Sequence, residues 1–165
     1  MKVFREVIEK RSTGLYPTFH DVTGEVNEIV ERSGVQNGIC VVYSHHTTCS
    51  VMTQECSFDK AYNGLEFIQQ DLVDILERLI PTCRKEGQYM HPGPLLTEYA
   101  KTIDEPEWQC LNTDGHLRSA LIGRSESFGI VDGKIDLGLF GRVYFIDFDQ
   151  TRPRNRRATI QIIGE

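Results

Sequence analysis

The chain has 165 residues, a length that suits one domain spanning 1–165. Its hydrophobic fraction of 39% and charged fraction of 25% are ordinary for a globular protein, and neither a membrane-spanning apolar run nor a signal-peptide core is visible, so a cytoplasmic location is expected. The net charge of -6 argues against a general nucleic-acid binder.

The N-terminal third predicts a strand, a helix and a second strand. Residues 3–9 alternate in polarity, which is typical of a strand. Apolar residues recur at helical spacing over residues 21–32, with Gly34 placed to end that helix. Residues 39–43 are apolar at every position and predict a central strand that is covered on both faces.

The next elements predict helices on either side of an irregular segment. A long amphipathic helix is predicted between Asn63, as its N-cap, and Pro81, and its apolar stripe is expected to be core. Residues 82–113 contain repeated Gly and Pro and are expected to form an irregular, functional loop. A short helix is predicted over residues 116–122, which places His116 in its first turn.

The C-terminal part is predicted to be β. Residues 131–134, VDGK, are typical of a hairpin turn, and strands are predicted over residues 143–148 and 158–163. In the last strand the alternating apolar residues predict one buried face. Four arginines precede it and are interpreted as a solvated turn rather than a phosphate site, namely Arg152, Arg154, Arg156 and Arg157.

Three histidines are candidate ligands for a metal ion. His46 follows the predicted central strand, and His91 and His116 lie among loop-forming residues. Three imidazoles with an open fourth position are typical of a catalytic zinc site. Glu55 is then a candidate general base or fourth ligand. Two further residues, Asn112 and Asp114, are predicted to orient His116 from behind.

Two other kinds of chemistry remain open from the residues alone. Cys49 beside a histidine suits a nucleophilic thiolate, although a small buried thiol is the commoner fate of such a cysteine. The hydroxyls of Thr47 and Thr48, together with Arg118, suit phosphate oxygens at the first turn of the short helix. Five cysteines without a CxxC pair indicate free thiols rather than a disulfide framework.

Several stretches, in order, resemble the secondary thiamine-phosphate synthase family, also described as the YjbQ-like uncharacterised protein family. They are HTTCS at 46–50, TQE at 53–55, YMH at 89–91, NTDGHLRSALIG at 112–123 and GKIDLGLFGRVYFIDFD at 133–149. The resemblance implies an α+β domain with a mixed or mostly antiparallel sheet, assembled as a homotrimer. It also implies that the positions of His46, His91 and His116 bind a divalent metal, with zinc as the expected ion, which is why His46 is preferred to His45.

The activity implied by the resemblance joins a hydroxymethylpyrimidine diphosphate to a thiazole phosphate and releases pyrophosphate. Magnesium is a possible additional cofactor with a diphosphate substrate. The chain departs from the family pattern at Phe140, Gly141 and Asp147, and its loop before His116 is longer, which puts the shape of the substrate in question. Alternatives are a zinc-dependent hydrolase of a small phosphorylated or amide substrate, and a non-catalytic trimer that binds a metal or an anion.

Overall fold

The computed structural model describes residues 1–106, 108 and 111–165. Its strands are β1 (Lys2–Arg11), β2 (Thr18–Asp21), β3 (Gly38–Ser44), β4 (Cys49–Glu55), β5 (Ser125–Val131), β6 (Lys134–Ile135), β7 (Gly141–Asp147) and β8 (Asn155–Gly164). Its helices are α1 (Thr23–Ser33), α2 (Phe67–Leu79), α3 (Gly93–Thr102) and α4 (Thr113–Ile122).

The strands form two sheets, and every pairing between named strands is antiparallel. The larger sheet has the order β1-β8-β3-β5-β6 and the smaller one β2-β7-β4. The expected α+β class with a mostly antiparallel sheet is therefore confirmed, with the strands divided between two sheets. The predicted hairpin turn also forms, between β5 and β6, where Asp132 and Gly133 both have positive φ.

The main core lies between the two sheets and α1. β8 contributes Ala158, Ile160 and Ile162, the alternating set that its sequence predicts, and all three are fully buried. Helix α1 covers the same core with its buried apolar stripe and ends at Gly34, which is left-handed at φ 66. Since the stop of α1 at Gly34 and the inward face of β8 follow local patterns, these features agree closely with the sequence-based expectation.

The strand covered on both faces is β7, not β3 as predicted. The apolar side chains of β3 alternate between buried and exposed, and Ile39 is 57% exposed. In β7, Val143 and Phe145 face the main core, while Tyr144 and Ile146 face a second core beneath α2 and α4. The continuous apolar sequence of β3 therefore does not mean that both of its faces are buried, because one face of the larger sheet is open to solvent in the single chain.

Helix α2 is less buried than its stripe predicts. Its cap is Glu66 rather than Asn63, with the Gln69 side chain accepting a hydrogen bond from the Glu66 backbone N–H at 3.0 Å. Leu76 is buried, but Ile75 and Leu79 are 51% and 65% exposed. The expectation that the whole stripe is core is wrong for one chain, since α2 lies over an edge of the smaller core.

The segment predicted to be irregular contains a helix, α3. Gly93 and Pro94 lie in its first turn, where a proline lacks only an N–H that has no partner within a helix. Their presence predicts a break in regular structure, but in the fold they mark where helix α3 begins. Leu95 and Tyr99 are 87% and 60% exposed, so α3 packs loosely on the domain.

Helix α4 positions the candidate site. It packs on β4, and Ser119 Oγ donates to the Cys49 carbonyl at 2.7 Å. A Cβ added at Gly115 would lie 3.2 Å from the Phe148 carbonyl oxygen, so glycine permits the helix to approach the backbone that follows β7. The predicted short helix is confirmed, and it begins at Thr113, three residues earlier than expected. None of the helices in the described ranges is long and apolar enough to cross a membrane.

Candidate functional site

A pocket of about 230 Å³ lies where β3 ends, β8 begins and α4 begins. Every residue that lines it is polar or charged. The lining residues are His45, His46, Thr47, Thr48, Asn112, His116, Asp149, Arg154 and Arg156. We call this the histidine–arginine pocket. It joins residues from three separate stretches of the sequence, 45–48, 112–116 and 149–156, so only the tertiary fold assembles it.

Both adjacent histidines line the pocket. In a continuing strand, adjacent side chains would point to opposite faces of the sheet. Strand β3 ends at Ser44, so this alternation does not apply to His45 and His46. His46 Nε2 accepts the backbone N–H of Arg157 at 3.0 Å, which leaves Nδ1 carrying the proton of the neutral ring. Burial, and then the nearby Arg156, lower the pKa of His46 below its ordinary value.

His116 stands in the first turn of α4, as predicted, and faces the same pocket. Burial and the neighbouring His91 ring lower its pKa, and a hydrogen bond to the backbone of Thr47 opposes that shift. A neutral imidazole therefore sits beside the positive end of the helix dipole. Such a ring can accept a proton or donate a hydrogen bond from its remaining N–H.

The floor of the pocket is a buried ion-pair network centred on Arg156. Its Nε donates to Asp147 Oδ2 at 2.7 Å, and its Nη2 donates to Thr48 Oγ1 at 3.0 Å and Asp149 Oδ2 at 3.2 Å. Arg156 is only 7% exposed, and the two aspartates are 1% exposed. The interpretation of the arginine cluster as a solvated turn is thus wrong for Arg156. Burial lowers the pKa of Arg156, but Asp147 outweighs that effect and the net shift is upward.

Asp149 organises the pocket wall, and the sequence reasoning missed it. Its Oδ2 accepts from Asn112 Nδ2 and Arg156 Nη2, both at 3.2 Å, and lies 3.5 Å from Arg154 Nε. Its Oδ1 accepts the N–H and hydroxyl of Thr151. A single buried carboxylate thereby fixes two guanidinium groups and one amide at the pocket wall.

One sequence signal could have found this network. Arg156 lies two residues before Ala158 in β8, and therefore on the same inward face as the apolar residues of that strand. A charged residue on a predicted core face requires a buried partner, and Asp147 and Asp149 are the nearby carboxylates. The inward position of Arg156 was not predicted, because it lies in a run of arginines and such runs usually face water.

The three predicted metal ligands are only partly brought together. The His91 and His116 rings pack edge to face with centroids 5.3 Å apart, and His46 and His116 line one pocket. His46 Nε2 already accepts a backbone hydrogen bond, and His91 Nδ1 lies 2.9 Å from Thr113 Oγ1. Among the described residues, no group of three or more His, Cys, Asp or Glu side chains is arranged to hold a metal ion. As placed in one chain, the residues do not fit a three-histidine zinc centre.

Two predicted site residues lie outside the pocket. Glu55 is exposed at the far end of β4, about 20 Å along the strand from Cys49. Arg118 is 1% exposed and donates to Glu77 Oε2 at 2.7 Å and to the Ile80 carbonyl. Its guanidinium ties α4 to the end of α2 and is not among the lining residues of the histidine–arginine pocket. Within one chain, neither Glu55 nor Arg118 is brought to the histidine–arginine pocket, and their roles as acid or base and as phosphate contact stay predictions.

Asn112, Asp114 and Thr48 have roles that differ from the expected ones. Asp114 accepts the Cys83 backbone N–H at 3.0 Å and lies 3.7 Å from Arg118, so it supports the loop after α2 rather than His116. Burial raises the pKa of Asp114. The Thr48 hydroxyl is held by Asp147 and Arg156, whereas Thr47 is exposed at the pocket mouth. Asn112 lines the pocket itself.

The thiol of Cys49 is fully buried between the sheets, and burial raises its pKa. A buried thiol with a raised pKa is a poor nucleophile, which disfavours the thiolate alternative. The cysteines in the described part of the chain, Cys40, Cys49, Cys56 and Cys83, are free. Cys110 lies outside the described residues.

Comparison with known proteins identifies close structural and sequence relatives. The profile of the family described as UPF0047 protein YjbQ-like matches residues 9–165. A UPF0047 protein of Methanothermobacter thermautotrophicus is 29% identical over 145 residues, which cover 88% of this chain and 82% of that protein. A UPF0047 protein of Synechocystis is 29% identical over 148 residues, covering 90% of this chain and 84% of that protein.

The solved structures share the fold over the full length. A YbjQ-like protein of unknown function from Sulfolobus solfataricus has a TM-score of 0.74 at 24% identity, covering 99% of both chains. A hypothetical protein from Aeropyrum pernix has a TM-score of 0.70 at 25% identity, covering 100% of both chains.

Proposed function

Because the chain belongs to the UPF0047 family of YjbQ-like proteins, we propose that the histidine–arginine pocket is the active site of an enzyme that acts on a small phosphorylated substrate. The specific reaction we propose is the thiamine-phosphate-synthase-like transfer implied by the sequence resemblance. The observation that carries this proposal is the convergence of two arginines, two half-buried histidines and Asn112 in one wholly polar pocket.

The hydrogen-bond donors of the pocket suit a phosphate group. Among the described residues, Arg156 Nη1 has no hydrogen bond, while Nε and Nη2 are fixed by the aspartates beneath it. The His46 Nδ1–H and the exposed Thr47 hydroxyl add further donors. Because Asp147 and Asp149 hold the guanidinium rigidly, little side-chain entropy is lost when an anion binds. Charge-assisted contacts of this kind are the strong ones for phosphate.

The proposed reaction is a substitution at carbon. The thiazole nitrogen attacks the methylene carbon of the pyrimidine diphosphate, and a carbon–nitrogen bond forms as the carbon–oxygen bond to the diphosphate breaks. Pyrophosphate leaves with the electrons of the broken bond, and the thiazole nitrogen becomes positively charged. The arginines stabilise the negative charge that develops on the leaving group, and this electrostatic effect lowers the barrier.

The histidines are suited to proton transfer at the leaving group. The pKa of His116 is lowered, first by burial and then by His91, which favours the neutral ring, and a neutral ring can accept a proton or donate a hydrogen bond. The His46 Nδ1–H donates a hydrogen bond without carrying a full charge. Both rings are held by backbone hydrogen bonds, His46 to Arg157 and His116 to Thr47, which fixes their direction.

A divalent metal is a further proposal that rests on the resemblance. Zinc held by His46, His91 and His116 would require these rings to leave the hydrogen bonds that His46 and His91 make in one chain, and magnesium is the alternative when a diphosphate is bound. No step described above depends on either ion. Elemental analysis of the purified protein beside the triple variant His46→Ala, His91→Ala, His116→Ala tests this proposal. Metal bound equally by both proteins, or by neither, would contradict it.

We also propose that the chain forms a cytoplasmic homotrimer. Apolar side chains on α2 and α3 are exposed in the single chain, including Phe67, Ile75 and Leu79 on α2. Contiguous exposed apolar surface is typical of an interaction site. The test is mass determination in solution by light scattering, with Leu79→Glu as the disrupting variant. A mass equal to the single chain of 18.9 kDa for the unmodified protein would contradict the trimer.

The reaction is tested by following two products in one assay. Purified protein is incubated with hydroxymethylpyrimidine diphosphate and thiazole phosphate, and thiamine phosphate and pyrophosphate are both measured. We expect equal amounts of the two products. Pyrophosphate without thiamine phosphate would replace the synthase with the hydrolase alternative. Binding of inorganic phosphate without turnover would leave only an anion-binding protein.

The assay includes a matched pair of arginine variants. Arg154→Ala removes a guanidinium that lines the pocket, whereas Arg157→Ala removes an exposed one two residues beyond Asn155. We expect Arg154→Ala to weaken inorganic phosphate binding about tenfold, which corresponds to roughly 1.4 kcal/mol. Arg157→Ala is expected to leave it within twofold. Equal effects of the two variants would show that general surface charge, and not the pocket, binds the anion.

A further inference from the structure

A second, larger cavity adjoins the histidine–arginine pocket. It has a volume of about 640 Å³ and is lined by residues of the loop after α2, the first turns of α3, Trp108 and Leu111. We call it the aromatic cavity. Small-molecule sites occupy about 300–1,000 Å³, so this cavity accommodates a ligand body, whereas the 230 Å³ pocket accommodates little more than a phosphate group.

Side-chain hydrogen bonds support the wall of the aromatic cavity. The Tyr89 hydroxyl donates to the Pro81 carbonyl, which fixes its ring. The Gln88 side chain bridges the loop, accepting from the Arg84 N–H at 3.0 Å and donating to the Thr82 carbonyl at 2.9 Å. These bonds tie the loop after α2 to itself and to the residue that follows Ile80, and they support the wall of the cavity.

Glu105, in the segment between α3 and Trp108, forms an ion pair with the loop that carries a lining residue of the histidine–arginine pocket. Arg152 Nη2 donates to both carboxylate oxygens of Glu105, at 2.8 and 3.1 Å. Arg152 belongs to the same loop as Arg154, which lines the pocket. The segment that carries the aromatic cavity and the loop that carries the pocket arginines are therefore linked by a two-point ion pair.

The two cavities meet at a pair of histidines. His91 lines the aromatic cavity and His116 lines the histidine–arginine pocket, and their ring centroids are 5.3 Å apart. His91 is fixed by Thr113 at the start of α4. A ligand with one group in each cavity would pass directly over this histidine pair.

From this arrangement we propose that the two cavities form one bipartite site for a phosphate ester that carries a planar aromatic ring system. The phosphate occupies the histidine–arginine pocket and the ring lies against Trp108 and Tyr89 in the aromatic cavity. This inference rests on the proposed phosphate site and adds a separate subsite, on the segment before α4, for the ring of the substrate. The cavity is larger than a single heteroaromatic ring requires, so ring systems of more than one ring are accepted.

The lining of the aromatic cavity favours a ring over a second anion. Trp108 and Tyr89 offer aromatic faces, and Met90, Pro92 and Leu111 add apolar surface. The charged lining residues are one lysine, Lys85, and two glutamates, Glu86 and Glu98, with a formal sum of -1. A second phosphate would be repelled by this charge, whereas an uncharged ring gains from stacking and from burial of its apolar surface.

Trp108 makes the inference directly measurable. It is the single tryptophan in the sequence and it lines the aromatic cavity, so its fluorescence reports occupancy of that cavity. The probes are AMP and phenyl phosphate, which carry rings, and ribose 5-phosphate and inorganic phosphate, which do not. Affinities for all four are measured by calorimetry, and tryptophan emission is recorded in parallel.

We expect AMP to bind at least tenfold more tightly than ribose 5-phosphate, with phenyl phosphate between them. Only the two ring-bearing probes should change the Trp108 emission. Trp108→Ala should weaken AMP about tenfold and leave ribose 5-phosphate unchanged. Tyr62→Ala, which removes an exposed aromatic side chain outside the cavity lining, is the matched control and should change neither affinity.

The inference is overturned if neither ring-bearing probe binds more tightly than ribose 5-phosphate, or if Trp108→Ala weakens both AMP and ribose 5-phosphate equally. Should Trp108→Ala fail to fold, the four-probe comparison on the unmodified protein and Trp108→Phe still decide the question. If no phosphate binds at all, the proposed phosphate site fails first. If phosphate and ribose 5-phosphate bind but rings add nothing, only the bipartite site fails.

Discussion

The two cavities are built on opposite physical principles. Beneath the histidine–arginine pocket, three charged side chains are each at most 7% exposed, namely Arg156, Asp147 and Asp149, and their hydrogen bonds restrain one another. Around the aromatic cavity, Met90 is 98% exposed and Leu95, on the adjoining helix, is 87% exposed. The pocket is thus fixed by buried charge, and the cavity is held by a few polar anchors beneath an exposed apolar surface.

This difference indicates how the parts should respond to change. Removing one member of a buried charge network leaves the others without a counter-charge, which is costly. Removing an exposed apolar side chain alters a surface without disturbing the core. The histidine–arginine pocket should therefore be sensitive to single substitutions through stability, whereas the aromatic cavity should be sensitive through ligand affinity alone.

The largest effect is expected for Arg156→Ala. The change leaves Asp147 and Asp149 buried without their main counter-charge, and we expect the free energy of unfolding to fall by about 3–5 kcal/mol. Chemical denaturation at a fixed protein concentration measures it. The neighbouring exposed Arg157→Ala is the control and should stay within about 0.5 kcal/mol. A loss below 1 kcal/mol for Arg156→Ala would contradict the contrast between the two regions.

The second-largest loss in the free energy of unfolding is expected for Arg118→Met. The guanidinium holds the Ile80 carbonyl and Glu77, and its removal leaves a carbonyl unsatisfied, for a loss of about 2–3 kcal/mol in unfolding free energy. Because Arg118 lies outside the pocket, inorganic phosphate affinity should remain within twofold. Weaker phosphate binding in a variant that is folded under the assay conditions would instead restore Arg118 as a phosphate contact.

Gly115→Val tests the close approach that places α4 against the pocket. Its Cβ would lie 3.2 Å from the Phe148 carbonyl oxygen, so we expect a loss of about 1–3 kcal/mol from overpacking. The shift of α4 should also move His116 and weaken phosphate binding several-fold. Gly24→Val in α1, where an added Cβ meets nothing within 4 Å, is the matched control. If both variants behave alike, the approach of α4 does not determine the site.

The smallest effect is expected for Glu55→Gln. The side chain is exposed at the end of β4 that is remote from the pocket, so stability should change by less than about 0.5 kcal/mol. The rate of pyrophosphate release should be unchanged, whereas His116→Ala lowers it. A large loss of rate with Glu55→Gln would return this carboxylate to the catalytic role that its sequence context predicts.

The sequence by itself determined the elements whose signals are local. The stripe of α1, the stop at Gly34, the turn at residues 131–134 and the inward face of β8 depend on neighbours a few residues apart, and each formed as its pattern predicts. It also named His46 and His116 as candidates, His46 on the strength of the family resemblance, and the structure brings both to one polar pocket.

Only the tertiary structure decided which charged residues are buried and which cavity each histidine faces. Asp149 and Arg156 become a pocket floor because β8 returns beside β3 and brings its first inward residue beneath residues 45–48. From the sequence, Arg118 is an equally good candidate for a phosphate contact, but α4 directs its side chain towards the end of α2. Burial and partnership are long-range properties, and they depend on strand order and helix packing rather than on the residues adjacent in the chain.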